Sequence, residues 1–208
     1  MANGGRLGAR NVPGVDGTSG VWSMREIADV VRRGSWVSSP HLYNDDILWQ
    51  YTKYPDSSSF WHIQGGMLVA AGGTGNHALI LNHVSAADIA IECDCDYAQD
   101  GGLILRFIDS NNHYMLALRD DSGAAPTQNF RLLKKVAGSF TELATSNFTW
   151  TRGTSVNVRF SVSGTTIKVF ADGVEKISVT DSSITGPGGI GFRSDTSRSQ
   201  YLALRWGV

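Results

Sequence analysis

From about residue 42 onward, short apolar runs alternate with Gly, Asn, Asp and Ser, and none has both the period and the length of a helix. Ser163–Gly164, Asp172–Gly173 and Asn111–Asn112 lie between apolar runs as hairpin turns do. Many short strands joined in this way predict an antiparallel sandwich or barrel, with its first and last strands adjacent. The predicted strands lie near 46–51, 59–63, 66–70, 77–82, 87–96, 102–109, 112–119, 129–136, 139–145, 155–163, 165–171, 174–180, 188–194 and 199–206.

Residues 1–38 differ from the rest because they contain the one helical signal that we find, over 23–33. Ser23 and Glu26 form a capping box, and Gly34 is a stop signal. The helix is too short to persist alone in water, so it must pack either on the sandwich or on another chain. The residues before it have few apolar side chains and predict an extended arm. We therefore divide the chain into an arm with a helix, 1–38, and a β-sandwich, 39–208.

Three segments carry a resemblance: GGLILRFIDSNNHYMLAL, NFRLLKKVAGSFTELAT and SVNVRFSVSGTTIKVFADGVEKISVTDSSITGPGGIGFRS. Their order of strands and turns resembles the concanavalin-like or laminin-G-like jelly roll, over roughly residues 44–206. The resemblance implies an all-β, two-sheet antiparallel jelly-roll sandwich. It does not fix the function, because this fold hosts lectins, glycosidases and structural modules.

The segment GGRLGARNVPGVDGTSGVWSMREIADVVRRGSWV resembles one that recurs in structural proteins of tailed bacteriophages. It implies a non-enzymatic virion surface protein, either a head decoration (cement) protein or a tail or fibre component. We expect it to be made in the host cytoplasm, to form a homo-oligomer, and to dock through the arm on capsid or tail subunits. Apolar anchors and arginines are the expected contacts: Val21, Trp22, Ile27, Val30, Val31, Trp36, Arg6, Arg10, Arg32 and Arg33.

The net charge of −1 and the absence of a polybasic run argue against nucleic acid as a partner. No apolar stretch approaches the roughly 18 residues that span a bilayer, so we expect no membrane insertion. The opening MANGGRLGARNVPG has no apolar core typical of a signal peptide.

The alternative function is recognition of a glycan on a host surface. Sugar rings stack on aromatic faces, and a few polar groups orient them. Trp49, Tyr54, Trp61 and Tyr114 are the chosen candidates, with Tyr51 and Trp150 as further aromatic residues. The alternation of apolar and polar residues along a strand does not show whether such a ring lies at a binding surface or in the core.

A glycoside hydrolase is the remaining alternative, because Glu92, Asp94 and Asp96 resemble the ExDxE strand motif of jelly-roll endo-glucanases. Retaining glycosidases need two carboxyl groups about 5–5.5 Å apart. The third acid here is the shorter aspartate, which makes convergence of the outer pair harder. The competing interpretation places Ile89, Ile91, Cys93 and Cys95 in the core and leaves the acids as the wet face of the strand.

Cys93 and Cys95 are the only cysteines, and their spacing along a strand favours two reduced, buried thiols over a disulfide. Asp45–Asp46, Asp109 to Asn112 and Asp120–Asp121 offer oxygen ligands of the kind that Ca²⁺ takes, but they are equally good turn formers. The five histidines have no metal-binding spacing. We therefore predict no cofactor and no catalytic residue.

Overall fold

The computed structural model describes residues 51–54, 61–64, 67–70, 77–98, 101–121, 127–149, 154–195 and 199–207. Within these ranges every regular element is a strand, and no helix long and apolar enough to cross a membrane is found there. The strands are β1 (Tyr51–Tyr54), β2 (Trp61–Gln64), β3 (Met67–Ala70), β4 (His77–Leu81), β5 (Ile89–Ala98), β6 (Gly101–Asp109), β7 (Asn112–Asp121), β8 (Thr127–Val136), β9 (Ser139–Asn147), β10 (Val156–Ser163), β11 (Thr166–Ala171), β12 (Val174–Thr180), β13 (Gly189–Ser194) and β14 (Ser199–Gly207).

These strands form two antiparallel sheets of seven strands each. The first sheet has the order β1-β4-β13-β6-β7-β8-β9, and the second has the order β12-β11-β10-β5-β14-β3-β2. The predicted two-sheet jelly-roll sandwich is therefore confirmed for the described residues. Below, the inner face of a sheet is the one turned toward the other sheet, and the outer face is the one turned away.

Alternation along the strands places the core between the sheets, as the sequence predicts. Val156, Val158, Phe160 and Val162 are all buried, and their neighbours in β10 are more exposed. Ile89, Ile91, Cys93 and Cys95 are likewise buried, so β5 presents its apolar side inward. The Asp172–Gly173 turn between β11 and β12 has positive φ angles of 47° and 77°, which suits a tight hairpin.

One prediction about the ends of the sandwich needs correction, and another is tested only in part. The first strand is expected near 46–51; the described strand runs from Tyr51 to Tyr54, and residues 46–50 lie outside the described ranges. The prediction that the first and last strands are adjacent is wrong. β14 lies between β5 and β3 in the second sheet, whereas β1 is an edge strand of the first. A central position suits β14 because Tyr201 and Leu204 are buried in the core.

Arg106 joins several loops at one end of the sandwich. Its side chain is 1% exposed and donates to the carbonyl oxygens of Ala87, Gly164 and Ile184, each at 2.6 Å. Asp88 lies 3.7 Å from the same guanidinium. Because a buried guanidinium must have its donors satisfied, these bonds hold the β4–β5, β10–β11 and β12–β13 connections together.

Candidate functional site

The aromatic residues that the sequence nominates for glycan contact lie in different places. Trp61 is 2% exposed and Tyr114 is fully buried, so neither ring offers a face to a sugar in solvent. The Tyr114 hydroxyl instead donates to Asp181 at 2.7 Å. Tyr54 is half-buried, and Trp49 lies outside the described residues. The structure therefore places Trp61 and Tyr114 in the core and leaves Tyr54 as the described candidate on a surface.

Tyr54 belongs to a row of rings on the outer face of the first sheet. Its ring centroid lies 5.0 Å from that of Phe107, which stacks on His113 at 5.5 Å. His113 meets Phe140 edge to face at 6.5 Å. We call Tyr54, Phe107, His113 and Phe140 the aromatic row; it runs from β1 across β6 and β7 to β9.

The inner part of the aromatic row rests on an apolar cluster that is separate from the main core. Ile80, Ile104 and Phe107 form this cluster, and Tyr54 packs against it. Leu79 and Leu103, which precede Ile80 and Ile104, belong to the main core, so alternation assigns the cluster to the outer face. Tyr54 also lines an open depression together with the other residues of β1.

Phe140 is the most exposed ring of the row, with 43% of its surface accessible. Lys135 is its cross-strand partner in β8, and the ammonium nitrogen lies 4.9 Å from the centroid of the Phe140 ring. Lys135 is also the cross-strand partner of His113 in β7. Cross-strand partners share a face of the sheet, so a cation, an imidazole and an accessible ring lie side by side.

Two interlocked turns support this end of the row; we call 109–112 and 136–139 the paired turns. Asn112 Nδ2 donates to Asp109 at 2.9 Å, and Asn112 Oδ1 accepts from the Ala137 N–H at 3.0 Å. The Gly138 N–H donates to the carbonyl of Asn111 at 3.1 Å. Since each turn hydrogen-bonds to the other, Lys135 and Phe140 are held in a fixed backbone frame.

The acids and amides of the first turn are used within the turn itself. The hydrogen bond from the Asn111 N–H, at 2.7 Å, is the main cause that lowers the pKa of the Asp109 carboxyl, and Asn112 adds to it. Asp109 therefore uses its carboxylate to form the turn, which is the role that the sequence analysis gave as the alternative to calcium binding. The described part of the chain contains no group of three or more His, Cys, Asp or Glu residues placed to hold a metal ion.

His113 is 6% exposed, and burial lowers its pKa to about 4. Its Nδ1 lies 3.2 Å from the carbonyl oxygen of Asp109. A carbonyl accepts only, so in the neutral ring Nδ1 carries the proton and Nε2 is the acceptor. The row therefore contains a neutral hydrogen-bond acceptor between two apolar rings at neutral pH.

The acidic residues of β5 lie on the other sheet, away from the aromatic row. Cys93 points into the core, so Glu92 and Asp94 occupy the outer face of the second sheet. Asn157 donates to Glu92 at 3.2 Å and to Asp94 at 2.9 Å, and Arg205 lies 3.2 Å from Glu92. This agrees with the interpretation of the acids as the polar face of the strand. The side chain of Asp96 lies outside the described residues.

The predicted attachment residues lie outside the described ranges, as do the helix 23–33 and the proposed boundary at residue 38. They are Arg6, Arg10, Val21, Trp22, Ile27, Val30, Val31, Arg32, Arg33 and Trp36. Also outside the described residues are Asp45–Asp46, Trp150 and the side chains of Asp120 and Asp121. These assignments remain predictions.

Sequence reasoning misses Phe107, His113, Lys135 and Phe140. The available signal for Phe140 is its place directly after the Ala137–Gly138–Ser139 turn, in the polar run SFTE, where a ring is not expected to be core. Phe107 and His113 give no such signal, because alternation next to a bulge does not tell which side a residue faces. The bulge in β6 lies between Leu105 and Asp109.

Solved structures share this fold. The carbohydrate-binding module CBM66 from Bacillus subtilis superposes with a TM-score of 0.65 at 14% identity, covering 76% of this chain and 96% of that one. The exoplasmic/lumenal domain of VIP36, in a form bound to Ca²⁺ and mannose, gives 0.59 at 11% identity and covers 84% and 90%. A putative glycosyl hydrolase from Parabacteroides distasonis gives 0.58 at 13% identity and covers 83% and 98%.

No protein-family model matches the sequence, and a search of curated proteins gives no match either. The structural likeness, at such low identity, shows the fold: a lectin-like jelly roll of the kind found in carbohydrate-binding proteins. The same fold occurs in the glycosyl hydrolase, so the likeness alone does not choose between binding and catalysis.

Proposed function

We propose that this protein is a glycan-binding module and that sugars bind at the Phe140 end of the aromatic row. The observation that carries the proposal is an accessible ring, Phe140, next to the cation of Lys135 on the same sheet face. Sugars present an apolar C–H face and a rim of hydroxyl groups. A site that pairs an aromatic platform with a few fixed polar groups suits both.

Each group of the site has a role in this proposal. Phe140 stacks on the ring of the sugar, and Lys135 donates to its hydroxyl or other oxygen atoms. His113 is buried and packs edge to face against Phe140, so it helps to hold that ring in place. The paired turns keep these groups in place before the ligand arrives, which reduces the entropy lost on binding.

The structural neighbours support this proposal through their names. CBM66 is named as a carbohydrate-binding module, and the VIP36 domain is described in a mannose-bound form. They are proteins of the same fold, so they raise the expectation that a surface of this sandwich binds sugar. They do not assign a site here; the aromatic row does that in our proposal.

The test compares Phe140→Ala with Val174→Ala. Both residues are exposed apolar residues in strands, and Val174 lies in the second sheet, with 57% of its surface accessible. Glycans that bind the unaltered protein are first found on an array, and their affinities are then measured by calorimetry. We expect Phe140→Ala to weaken binding about five- to thirtyfold, because a stacked ring is worth about 1–2 kcal/mol, and Val174→Ala to bind as the unaltered protein does.

Two results contradict the proposal. One is an unaltered protein that binds no glycan on a broad array. The other is a Phe140→Ala variant that is folded and binds every glycan with unchanged affinity.

A second proposal concerns where the module works, and it is supported by the resemblance of the first 38 residues to a segment of tailed-phage structural proteins. In this proposal the arm docks on capsid or tail subunits and the sandwich is displayed on the virion. Removal of residues 1–38 is then expected to leave a soluble sandwich that is no longer incorporated into particles. Particles that still carry the truncated protein, detected by mass spectrometry, contradict it.

A further inference from the structure

Two cations on the outer face of the first sheet, Arg131 and Arg193, are each paired with an acid. Arg131 lies 2.6 Å from Glu142, and Arg193 lies 3.2 Å from Asp195. Such pairs neutralise each other locally, so these two arginines contribute little net charge to a ligand at the surface.

Lys135 differs from these arginines. Its ammonium donates to the carbonyl oxygen of Ser110 at 2.7 Å, and no carboxylate among the described residues lies within ion-pair distance of it. Its neighbour in sequence, Lys134, points to the other side of the sheet and pairs with Asp181 at 2.6 Å. A carbonyl fixes the position of an ammonium without cancelling its charge, so Lys135 is a positioned cation with two further N–H donors.

The charge of Lys135 acts on its neighbour His113. Besides burial, this charge lowers the pKa of His113, whereas the carbonyl and the carboxylate of Asp109 raise it. The nearest acid of the paired turns, Asp109, accepts hydrogen bonds from Asn111 and Asn112 within its own turn. An anion at Lys135 therefore meets an ammonium group that has no ion-pair partner among the described residues.

We propose that the ligand of this site is a glycan with a carboxylate-bearing sugar, such as a uronic or sialic acid. The sugar ring stacks on Phe140, and its carboxylate binds the ammonium of Lys135. The inference rests on the proposed glycan binding and adds the chemical class of the ligand. A charge-assisted hydrogen bond is about twice as strong as a neutral one, so the carboxylate supplies selectivity over neutral sugars.

The experiment uses the full chain and two matched pairs of probes. Trigalacturonic acid is compared with its methyl ester, and sialyllactose with lactose, by calorimetry at low and high salt. We expect at least one acid to bind about tenfold more tightly than its neutral counterpart. The preference should shrink as salt screens the charge of the site.

Variants of Lys135 show whether this cation carries the preference. Lys135→Gln should reduce the preference for the acid to less than about twofold while binding of the neutral probe persists, and Lys135→Arg should retain the preference. Lys168→Gln is the control, because Lys168 pairs with Glu175 at 2.8 Å on the second sheet. It should leave the preference unchanged.

The outcomes separate this inference from the proposed function. If neutral glycans bind in a Phe140-dependent manner and acids bind no better, the module binds sugars but the inference is overturned. A preference for acids that survives in Lys135→Gln also overturns it. If the unaltered protein binds no probe and no array glycan, both proposals fail.

Discussion

His113 is the residue for which burial predicts a dependence of stability on pH. Its pKa is about 4 in the folded chain against an ordinary value of 6.5. Above pH 6.5 the imidazole is neutral in both the folded and the unfolded state. As the pH falls from 6.5 to 4, only the unfolded chain takes up the proton, so the folded state loses up to about 3 kcal/mol.

The measurement is the free energy of urea unfolding between pH 7 and pH 3 for the unaltered chain and for His113→Gln. The variant should show a flatter profile between 6.5 and 4. Both proteins should still lose stability below pH 4. There Asp181 titrates: although burial raises the pKa of this carboxyl, hydrogen bonds from Lys134 and Tyr114 outweigh it and lower the pKa to about 2. Identical slopes above pH 4 in the two proteins contradict the assignment to His113.

Among the described polar residues, Arg106 is the one whose substitution we expect to lower the free energy of unfolding most. Arg106→Met keeps the apolar length of the side chain but leaves the carbonyls of Ala87, Gly164 and Ile184 without this donor. A buried acceptor that is left without its partner costs about 1–3 kcal/mol, so we expect the loss of this shared donor to cost at least that much. Arg159→Met is the control, because Arg159 is exposed over the Phe170 ring, and it should cost less than about 1 kcal/mol. Equal urea midpoints for the two variants would contradict this role of Arg106.

Gly102 in β6 leaves no room for a side chain against the backbone of β7. A Cβ atom built on this residue would lie 1.8 Å from the carbonyl oxygen of Leu116 in β7. Since that atom is backbone, Gly102→Ala must push β6 and β7 apart, and we expect a loss of at least about 1–3 kcal/mol. Gly186→Ala is the control, because nothing lies within 4 Å of its added Cβ. A melting temperature of Gly102→Ala within a degree of that of the control would refute the close contact.

At the level of elements, the sequence predicts the strands well but not their partners. Alternation such as Val156, Val158 and Phe160 shows which side of a strand is buried, and turns such as Asp172–Gly173 show which strands form hairpins. Neither signal says that β14 lies between β5 and β3, because that pairing joins residues far apart in sequence. The prediction that the first and last strands are adjacent is wrong for this reason.

The same limit explains why the sequence did not predict the residues of the candidate site. Trp61 and Tyr114 are large rings in well-predicted strands, yet both lie on inner faces, where they serve the core. Phe107 and Phe140 lie on the outer face, and only the order β6-β7-β8-β9 brings their strands into one row. A binding surface built from four strands depends on sheet order, which the local pattern does not contain.

At the scale of the whole molecule, the two sheets enclose a pair of thiols that report on opening of the sandwich. Cys93 is fully buried and Cys95 is 2% exposed; their sulfur atoms lie 3.6 Å apart as free thiols. The hydrogen bond with the Cys95 thiol, and burial after it, raise the pKa of Cys93, so the reactive thiolate is disfavoured in the folded state. A thiol reagent therefore reaches either sulfur atom only after the sheets have separated.

We therefore expect both thiols to be inert to a disulfide reagent in the native protein and to react together as urea is added. The midpoint of their reaction, measured by pulse labelling and mass spectrometry, should coincide with the midpoint of unfolding by circular dichroism, because one cooperative transition exposes the whole core. Arg106→Met should shift both midpoints to lower urea by the same amount, since Arg106 holds three loops at one end of the sandwich. Labelling of Cys93 or Cys95 at urea concentrations at which the dichroism is unchanged would show that β5 opens locally, and that the sandwich does not unfold as one unit.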